Sequence, residues 1–556
     1  MQTKVGLIFA VCTVAAAGGS AQAAGEKLSQ ELRMAEGTGV VDVIVQYRDA
    51  PTTKQHRKIA VRGGALQGRL DLVKAANYKL PSSALAEIAN DPDVAYVSVN
   101  HAVQAHVAGL PDQAAVTIGA NLAYQFSVDG TGVGIAVIDS GIGNHDDLAN
   151  RVIYRQQFIA GGADDQFGHG THVAGILAGS GKDSTGSPYT RAFKGTAPGA
   201  SLIDLKVLDQ NGSGTDSGVI QAIQAAISLK TKYNIRVINL SLGRPVFESY
   251  TQDPLCQAVE QAWKAGIVVV TAAGNFGRAN PTTTRGYGTV TAPGNDPFAI
   301  TVGAMNDMGT PSKTDDAIAS YSSKGPTVFD LVIKPDLVAP GNMIDSTLAP
   351  LSQLTQAYPA TIVPMYYYHN GDDQSSSSKY LQLSGTSMAT PFVSAAAALL
   401  IQQNPNMTPD QVKARLMKTA SKTFPASSSY RDPSTGTVYQ EQYDAFTIGA
   451  GYLNIDAALA SRDLAPAGLS AQSPVLAVSG TPTSPSLTML TGQSTVWGSS
   501  TVWGSSTVWG SNLFLSAAST VWGSSTVWGS STVWGSTVVW GSTTENALAL
   551  LTGGDQ

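Results

Sequence analysis

Three short segments, in this order along the chain, contain an acid, a base and a nucleophile in settings suited to catalysis. They are Val137-Ile138-Asp139-Ser140-Gly141, Gly168-His169-Gly170-Thr171-His172 and Ser384-Gly385-Thr386-Ser387-Met388-Ala389. A serine hydroxyl is a weak nucleophile until a base removes its proton, and histidine, with an ordinary pKa of about 6.5, is matched to that task. An aspartate bound to the other imidazole nitrogen fixes the tautomer. Asp139, His169 and Ser387 are therefore candidates for acyl-transfer chemistry.

Apolar runs and helical patterns would position these three residues. Residues 133–138 form a continuous apolar, largely β-branched run, which predicts a buried parallel strand that ends at Asp139. The carboxyl ends of such strands form the sites of open α/β sheets. His169 and Ser387 each begin a stretch of small and apolar residues that predicts a helix. Because strand-like and helix-like segments alternate between the motifs, we predict an α/β fold with a doubly wound, mainly parallel sheet.

The motifs and their order resemble those of the subtilisin-like serine proteases, the subtilase family. Asp, His and Ser follow the chain order of that family, whereas unrelated enzymes with the same triad use other orders. Further segments between residues 110 and 460 resemble the family as well. They include Asn239-Leu240-Ser241-Leu242-Gly243, Tyr321-Ser322-Ser323-Lys324-Gly325-Pro326 and Lys334-Pro335-Asp336-Leu337-Val338-Ala339-Pro340-Gly341. The resemblance implies a serine endopeptidase that works through an acyl-enzyme, with Asp139, His169 and Ser387 as its triad.

The resemblance also assigns residues to substrate binding. Asn275 matches the family's side-chain donor to the oxyanion, which acts together with the backbone N–H of Ser387. A peptide substrate would add as a strand between two backbone stretches, and such pairing gives broad specificity. Those stretches are Gly212-Ser213-Gly214 and Ser241-Leu242-Gly243. Phe276 stands where many subtilisins have an acidic residue at the rim of the main specificity pocket, which favours apolar over basic substrate side chains.

Two departures from the family pattern concern a metal and an insertion. Asp147 matches an acid that helps to hold structural calcium in some members, but residues 179–200 lack the Asn-rich calcium segment, so calcium is doubtful. The chemistry requires no cofactor, and we assign no metal ligands. Residues 350–380 form an insertion shortly before Ser387, for which we expect a solvated loop.

The segments ahead of the catalytic part predict export. Residues 1–23 combine Lys4, an apolar stretch and small residues at the cleavage-determining positions, which is typical of a secretory signal peptide. Residues 24–107 resemble the inhibitory propeptides of subtilases, with a plain accessory α+β domain as the alternative. The catalytic domain is then expected at residues 108–462. We expect a secreted protein, extracellular or periplasmic, in which Cys256 alone remains after cleavage and no intramolecular disulfide forms.

A hexapeptide repeat follows the predicted catalytic domain. The unit Ser-Thr-Val-Trp-Gly-Ser recurs within residues 494–542, where seven of the eight tryptophans lie. Residues 463–493, rich in Pro, Ser and Thr, predict a linker, and residues 543–556 a tail. A period of six keeps the tryptophans on one face of an extended strand. A short β-solenoid, a surface- or carbohydrate-binding strip and a low-complexity tail all remain open.

Composition limits the classes of function. The 13% of charged residues and the net charge of −6 give no basic patch for nucleic acid, and no stretch after residue 23 is apolar for long enough to span a membrane. We predict protein or peptide substrates, with the chain's own propeptide as a further partner. An esterase is disfavoured because the Ser387 motif lacks the second glycine of the nucleophile elbow. The alternative is a surface-binding or adhesive protein that uses the Trp repeat, with secondary or no proteolysis.

Overall fold

The structure is a computed structural model of the chain. It describes residues 27–34, 39–104, 114–125, 127–282, 284–466, 468, 470–481, 484–490 and 555. The chain divides into two compact units, residues 1–100 and 101–556. The predicted signal peptide, the boundary at residue 107 and the Trp repeat lie outside the described residues. Among the described residues, no helix has both the length and the apolar character needed to cross a bilayer.

The first unit combines an antiparallel sheet with short helices. Its strands are β1 (Val40–Tyr47), β2 (Ala65–Leu70), β3 (Ala75–Pro81) and β4 (Val94–Val99); its helices are Gln30–Met34, Thr53–Val61 and Leu85–Asn90, with 3-10 turns at Asp71–Val73 and Ser82–Ala84. The strand order is β2-β3-β1-β4. Because side chains alternate along a strand, Val43 and Val45 share the face that packs with Ile59 and Ile88. The unit therefore has an apolar core of its own.

A mainly parallel sheet forms the centre of the second unit. The strands of this unit are β5 (Ala102–Gln104), β6 (Gly134–Asp139), β7 (Val152–Gln157), β8 (Ser201–Lys206), β9 (Ser213–Thr215), β10 (Ile235–Leu240), β11 (Val268–Ala272), β12 (Ile300–Asn306), β13 (Ala317–Ile318), β14 (Leu337–Pro340), β15 (Ile344–Thr347), β16 (Ile362–Pro364), β17 (Ser376–Leu383), β18 (Ser427–Arg431), β19 (Val438–Gln442), β20 (Val475–Thr481) and β21 (Ser484–Leu490). The central order is β13-β12-β11-β10-β6-β8-β7, with β14 beside β12. Only the β12–β13 pair of this sheet is antiparallel. The predicted mainly parallel α/β sheet is confirmed.

Helices cover the central sheet, so its inner strands are buried along both faces. The helices of the second unit are Ala114–Thr117, Ala120–Gln125, His169–Ala178, Asp216–Tyr233, Pro254–Lys264, Gln353–Ala357, Met365–Tyr368, Thr386–Gln403, Pro409–Thr419 and Ile455–Ala460, with 3-10 turns at Asp146–Leu148, Lys182–Ser184 and Pro359–Thr361. Thr215 caps the helix that follows β9, and Thr408 forms a capping box with Gln411. The central helix Thr386–Gln403 packs against β10, β11 and β12. This packing fixes the helix that carries Ser387.

Residues 350–380 do not form the solvated loop that the sequence predicted. β16 and β17 join β15 in a small antiparallel sheet with the order β15-β17-β16. Tyr368 and Tyr380 are buried in an aromatic cluster with Phe193 and Val363. Burial of these large rings favours an ordered insertion. The polar run of serines in the same segment led instead to the prediction of a solvated loop.

The predicted linker is wrong from residue 471 onward, where the chain is first packed on the second unit and then forms the paired strands β20 and β21. Ala471, Ser473 and Leu476 are buried. Ser473 Oγ accepts a hydrogen bond from Lys413 Nζ at 2.9 Å, and the N–H of Ile333 donates to the carbonyl of Pro474 at 2.8 Å. The packed part of the second unit therefore extends beyond residue 462, to at least residue 476. Short polar residues can complete buried hydrogen bonds as readily as they form linkers, so composition alone misled the prediction.

Candidate active site

Asp139 and His169 meet at the carboxyl edge of the central sheet. Asp139 ends β6, and His169 begins the helix His169–Ala178. His169 Nδ1 lies 2.7 Å from Asp139 Oδ1, and both side chains are fully buried. This contact assigns the proton to Nδ1 and leaves Nε2 as the basic nitrogen. Among the described residues, His169 Nε2 has no hydrogen-bond partner. The pair has the geometry of a general base and the acid that orients it.

Ser387 is the second residue of the central helix Thr386–Gln403. Its Oγ donates to the carbonyl of Ser241 over 2.9 Å, so its proton is directed away from His169 in this rotamer. A rotation about χ1 is the simplest motion that would redirect the hydroxyl to His169 Nε2. In this arrangement the candidate nucleophile and the candidate base are not hydrogen-bonded to each other.

Asn275 follows β11 after a turn at Gly274, where φ is 104°. Its side-chain Oδ1 accepts hydrogen bonds from the backbone N–H of Thr386 at 2.9 Å and from the Thr386 hydroxyl at 3.0 Å. Because Thr386 fixes the oxygen end, the NH₂ end is the donor that a substrate can use. The start of the Ser387 helix adds backbone N–H groups and the positive end of its dipole. Together these groups can stabilise a developing oxyanion.

Asp165 organises the turn ahead of His169, a role that the sequence did not reveal. Its carboxylate accepts hydrogen bonds from Gly168 N (2.7 Å), Thr171 N (2.8 Å), Thr171 Oγ1 (2.6 Å) and Ser140 Oγ (2.8 Å). Burial raises the pKa of this carboxyl group. Ser140 directly follows Asp139, so Asp165 joins the loop of the catalytic acid to the helix of the base. An acid just ahead of a helix start was the signal that could have identified it.

Buried polar side chains attach the Ser387 helix to the end of β10. Ser394 Oγ donates to Asn239 Oδ1 at 2.8 Å, and Asn239 Nδ2 donates to Ser241 Oγ at 2.9 Å. Ser241 Oγ then donates to the backbone carbonyl of Ser387 at 2.8 Å. Ser241, predicted to bind substrate, thus also fixes the backbone of the nucleophile. This chain of contacts restricts where Ser387 can move.

The first predicted substrate stretch contains the short strand β9. Gly212 has a φ of 70°, and a Cβ at this position would lie 2.5 Å from the ring of Phe167, so only glycine fits. β9, which includes Ser213 and Gly214, pairs antiparallel with β5. Within the second unit, a segment of main chain therefore occupies this edge as an added strand. That is the arrangement in which an extended peptide is bound.

Phe276 and its neighbours line a small cavity of mainly apolar character. The lining residues are Pro245, Val246, Phe276, Gly288, Thr289, Val290, Thr291 and Val328. Gly243, from the second predicted stretch, approaches the same wall, since a Cβ there would lie 2.7 Å from Thr291 Oγ1. Leu242 is buried in the core. Among the residues that the structure describes, no charged side chain lines the cavity, so a buried ammonium group would lack a partner there.

His172, three residues after His169 on the same helix, has a structural role. Its Nε2 lies 2.9 Å from the carbonyl of Ile344 and 3.0 Å from that of Leu381. Burial, and to a lesser extent the nearby His169, lower the pKa of His172 to about 3. The neutral ring therefore ties β15 to β17 from inside the core.

A cluster beside the 3-10 turn Asp146–Leu148 could in principle hold a cation. We define the Lys379 cluster as His145, Asp147, Asp183, Lys379 and Tyr380. Ligand atoms of the histidine and the two aspartates lie within 4.8 Å of one another.

Groups of the protein itself already bind most of these atoms. The two nitrogens of His145 bind Asp147 N and the carbonyl of Lys379. Asp147 accepts from Asp183 N at 2.9 Å and from the Tyr380 hydroxyl at 2.7 Å, and Lys379 Nζ lies 2.9 Å from Asp183. An ammonium group thus already pairs with Asp183, and the cluster does not fit a calcium ion, which needs six or more free oxygen ligands.

The sequence of this chain is similar to those of known proteases. The model of the subtilase family matches residues 130–451. Serine protease AprX of Bacillus subtilis (strain 168) is 40% identical over 298 residues, which cover 52% of this chain and 61% of AprX. Subtilisin E of the same organism is 33% identical over 437 residues, which cover 77% of this chain and 95% of that protein.

A solved structure shows the same fold. Fervidolysin from Fervidobacterium pennivorans, described as a keratinolytic enzyme related to subtilisin, aligns with a TM-score of 0.56 and 23% identity. The alignment covers 78% of this chain and 62% of fervidolysin. At this level of identity the likeness concerns the fold alone.

Proposed function

Because the chain belongs to the subtilase family and is a subtilisin-like serine peptidase, we propose that it acts as a secreted endopeptidase of broad specificity. The observation that carries the proposal is the buried 2.7 Å contact between His169 and Asp139. Ser387 and Asn275 supply the proposed nucleophile and oxyanion donor. All four residues lie within the segment that matches the family model. A purely adhesive function through the Trp repeat is not favoured, because such a protein needs no base, nucleophile or oxyanion donors.

The proposed reaction begins when the Ser387 hydroxyl turns from the Ser241 carbonyl to His169 Nε2. The base takes the proton, and Oγ attacks the scissile carbonyl carbon. Asp139 stabilises the imidazolium, while Asn275 and the Ser387 N–H donate to the oxyanion. His169 then protonates the leaving amine, which breaks the C–N bond and leaves an acyl-enzyme. Water attacks this ester with His169 again as base, and Ser387 recovers its proton.

Substrate binding is proposed to rest on the β9 edge and on the cavity beside Phe276. Pairing with Ser213 and Gly214, opposite the stretch Ser241-Leu242-Gly243, recognises an extended main chain with little regard to side chains. The apolar lining of the cavity supports a preference for apolar residues on the acyl side of the cleaved bond. We propose no cofactor for the chemistry.

Residues 24–107 are proposed to be an inhibitory propeptide. The pairing of β5 with β9 supports this, because it fills the edge that a substrate strand needs with backbone of the same chain. Cleavage beyond β5 would free the edge. We further propose that residues 1–23 direct secretion and that the repeat at residues 494–542 contacts surfaces or polysaccharide.

The test compares Ser387→Ala with Ser228→Ala, a change at an exposed helical serine. Each full-length chain is expressed in a host without extracellular proteases, treated with a fluorophosphonate label and assayed on casein. Ser387→Ala should lose the label, lower turnover by about 10⁶-fold, as for the nucleophile in subtilisin itself, and accumulate the precursor. Ser228→Ala should keep all three properties. Labelling or casein hydrolysis by Ser387→Ala at the parent level would refute the proposed nucleophile.

A further inference from the structure

Asp555 is buried within the second unit. The residues that it contacts are distant from it in the sequence. Only 5% of its surface is exposed. Its Oδ1 accepts from Arg278 Nη2 at 2.7 Å and from Ser320 Oγ at 2.6 Å, and its Oδ2 accepts from Ser320 N at 2.6 Å. The carboxylate therefore receives three short hydrogen bonds, one of them charge-assisted.

The main chain of Asp555 is bound as well. Its carbonyl accepts from Asn342 Nδ2 at 3.2 Å and from Asn306 Nδ2 at 3.3 Å. Its N–H donates to Asn342 Oδ1 at 3.3 Å. Asn342 thus pairs with both backbone groups of one residue, as a neighbouring strand would. The contacts of Arg278 and Ser320 favour a carboxylate side chain, and the contacts of Asn342 and Asn306 favour a peptide backbone.

The surrounding residues hold these donors in place. We define the Arg278 cradle as Arg278, Asn306, Ser320 and Asn342. Arg278 Nε donates to Ser320 Oγ at 2.7 Å, and the guanidinium carbon lies 5.0 Å and 5.3 Å from the ring centres of Tyr430 and Tyr439. Ser320 and the two tyrosine rings therefore hold the Arg278 guanidinium in place, with one edge directed toward Asp555.

We propose that the Arg278 cradle is a binding site for an acidic peptide segment, and that its occupant is the chain's own Asp555. Residues 473–476 are packed on the same unit, as described above. The Trp repeat at residues 494–542 therefore lies between two attachment points on the peptidase. Through Asp555, the segment that contains the repeat is attached to the peptidase at both ends. Binding here is independent of peptidase activity, so the inference stands or fails separately from the proposed reaction.

The experiment cuts the chain between these two attachment points and measures whether the C-terminal fragment stays bound to the peptidase. Residues 512–517, which interrupt the repeat, are replaced by the recognition sequence of a site-specific protease in the full-length Ser387→Ala chain, which cannot digest itself. After cleavage, native size-exclusion chromatography measures how much of the fragment that contains Asp555 elutes with the remainder. The parent should retain it, as should Asp372→Ala, a control at an exposed acid.

Asp555→Ala should lower the retained fraction at least ten-fold. This variant leaves the residues of the Arg278 cradle unchanged. An excess of a peptide with the sequence of residues 550–556 should displace the fragment from the parent, whereas the same peptide with Asn in place of Asp555 should not. Release of the fragment by the parent, equal retention by Asp555→Ala, or equal displacement by both peptides would overturn the proposal.

Discussion

The active site and the Lys379 cluster both contain histidine and aspartate side chains, but they differ in whether the polar atoms of these side chains have hydrogen-bond partners. In the Lys379 cluster, His145 and Asp147 are bound by backbone groups and by the Tyr380 hydroxyl. In the active site, His169 Nε2 and Asp139 Oδ2 have no hydrogen-bond partner among the described residues. An unsatisfied buried group costs stability, and in the active site the unbound imidazole nitrogen is the one that the proposed reaction uses. The bound atoms of His145 and Asp147 fit a structural role.

The largest effect that sharpens this contrast is expected at the oxyanion donor. Asn275→Ala removes the amide that would stabilise the transition state, so kcat should fall by about 10²–10³-fold with little change in KM, a range that was itself measured in subtilisin. Kinetics on a chromogenic peptide measure both constants. Asn280→Ala, at an exposed position five residues on, is the control and should match the parent. A change confined to KM would contradict the assigned role.

Asp165 should have the next largest effect, because it positions His169 without touching substrate. Asp165→Asn replaces one acceptor oxygen by an NH₂ group that faces the donors Ser140, Gly168 or Thr171. We expect kcat to fall about 10- to 100-fold, as when a supporting group lets a catalytic residue shift by about 1 Å. The exposed neighbour variant Asp164→Asn is the matched control. The pH profile of kcat should shift as well; loss of thermal stability with an unchanged kcat and pH profile would leave Asp165 purely structural.

His172 predicts an acid-dependent loss of stability. Its folded-state pKa of about 3 lies below the ordinary value of 6.5, so between these values the unfolded chain binds a proton that the folded chain does not. The free energy of unfolding should therefore fall as pH drops from about 6.5 toward 3, by up to about 1.4 kcal/mol per pH unit from this group.

Urea unfolding of the inactive Ser387→Ala chain at several pH values measures this slope. His172→Gln keeps an amide donor for the two carbonyls but does not titrate, so its slope should be smaller by about one proton. An identical slope in the parent and in His172→Gln would show that other groups cause the acid sensitivity.

The smallest effect is expected in the Lys379 cluster. Tyr380→Phe removes the hydroxyl that donates to Asp147, which leaves a buried carboxylate oxygen unpaired and should cost about 1–3 kcal/mol of stability without changing kcat. Tyr366→Phe, at an exposed tyrosine, should cost nothing measurable. Thermal unfolding with and without added calcium or a chelator completes the test. A higher Tm in calcium would show that the cluster accepts the ion after all.

The candidate catalytic residues could be located from the sequence because local patterns place them. Asp139 follows a continuous apolar strand, and His169 and Ser387 begin helices; in a parallel sheet such positions converge on one edge. Asp165 lies just ahead of the helix of His169, but its bond to Ser140, 25 residues earlier, could not be assigned in this way. The contact of Tyr380 with Asp147, which is 233 residues away in sequence, could not be assigned either.

The sequence by itself predicted the order of the candidate triad and the mainly parallel sheet, because these depend on residue type and on short-range periodicity. Only the tertiary structure showed which groups the two histidines of one helix contact, an aspartate for His169 and two carbonyls for His172. It also decided that residues 470–476 are packed and that Asp555 is bound to Arg278. These outcomes depend on which distant groups supply the missing hydrogen bonds, and no local pattern encodes that pairing.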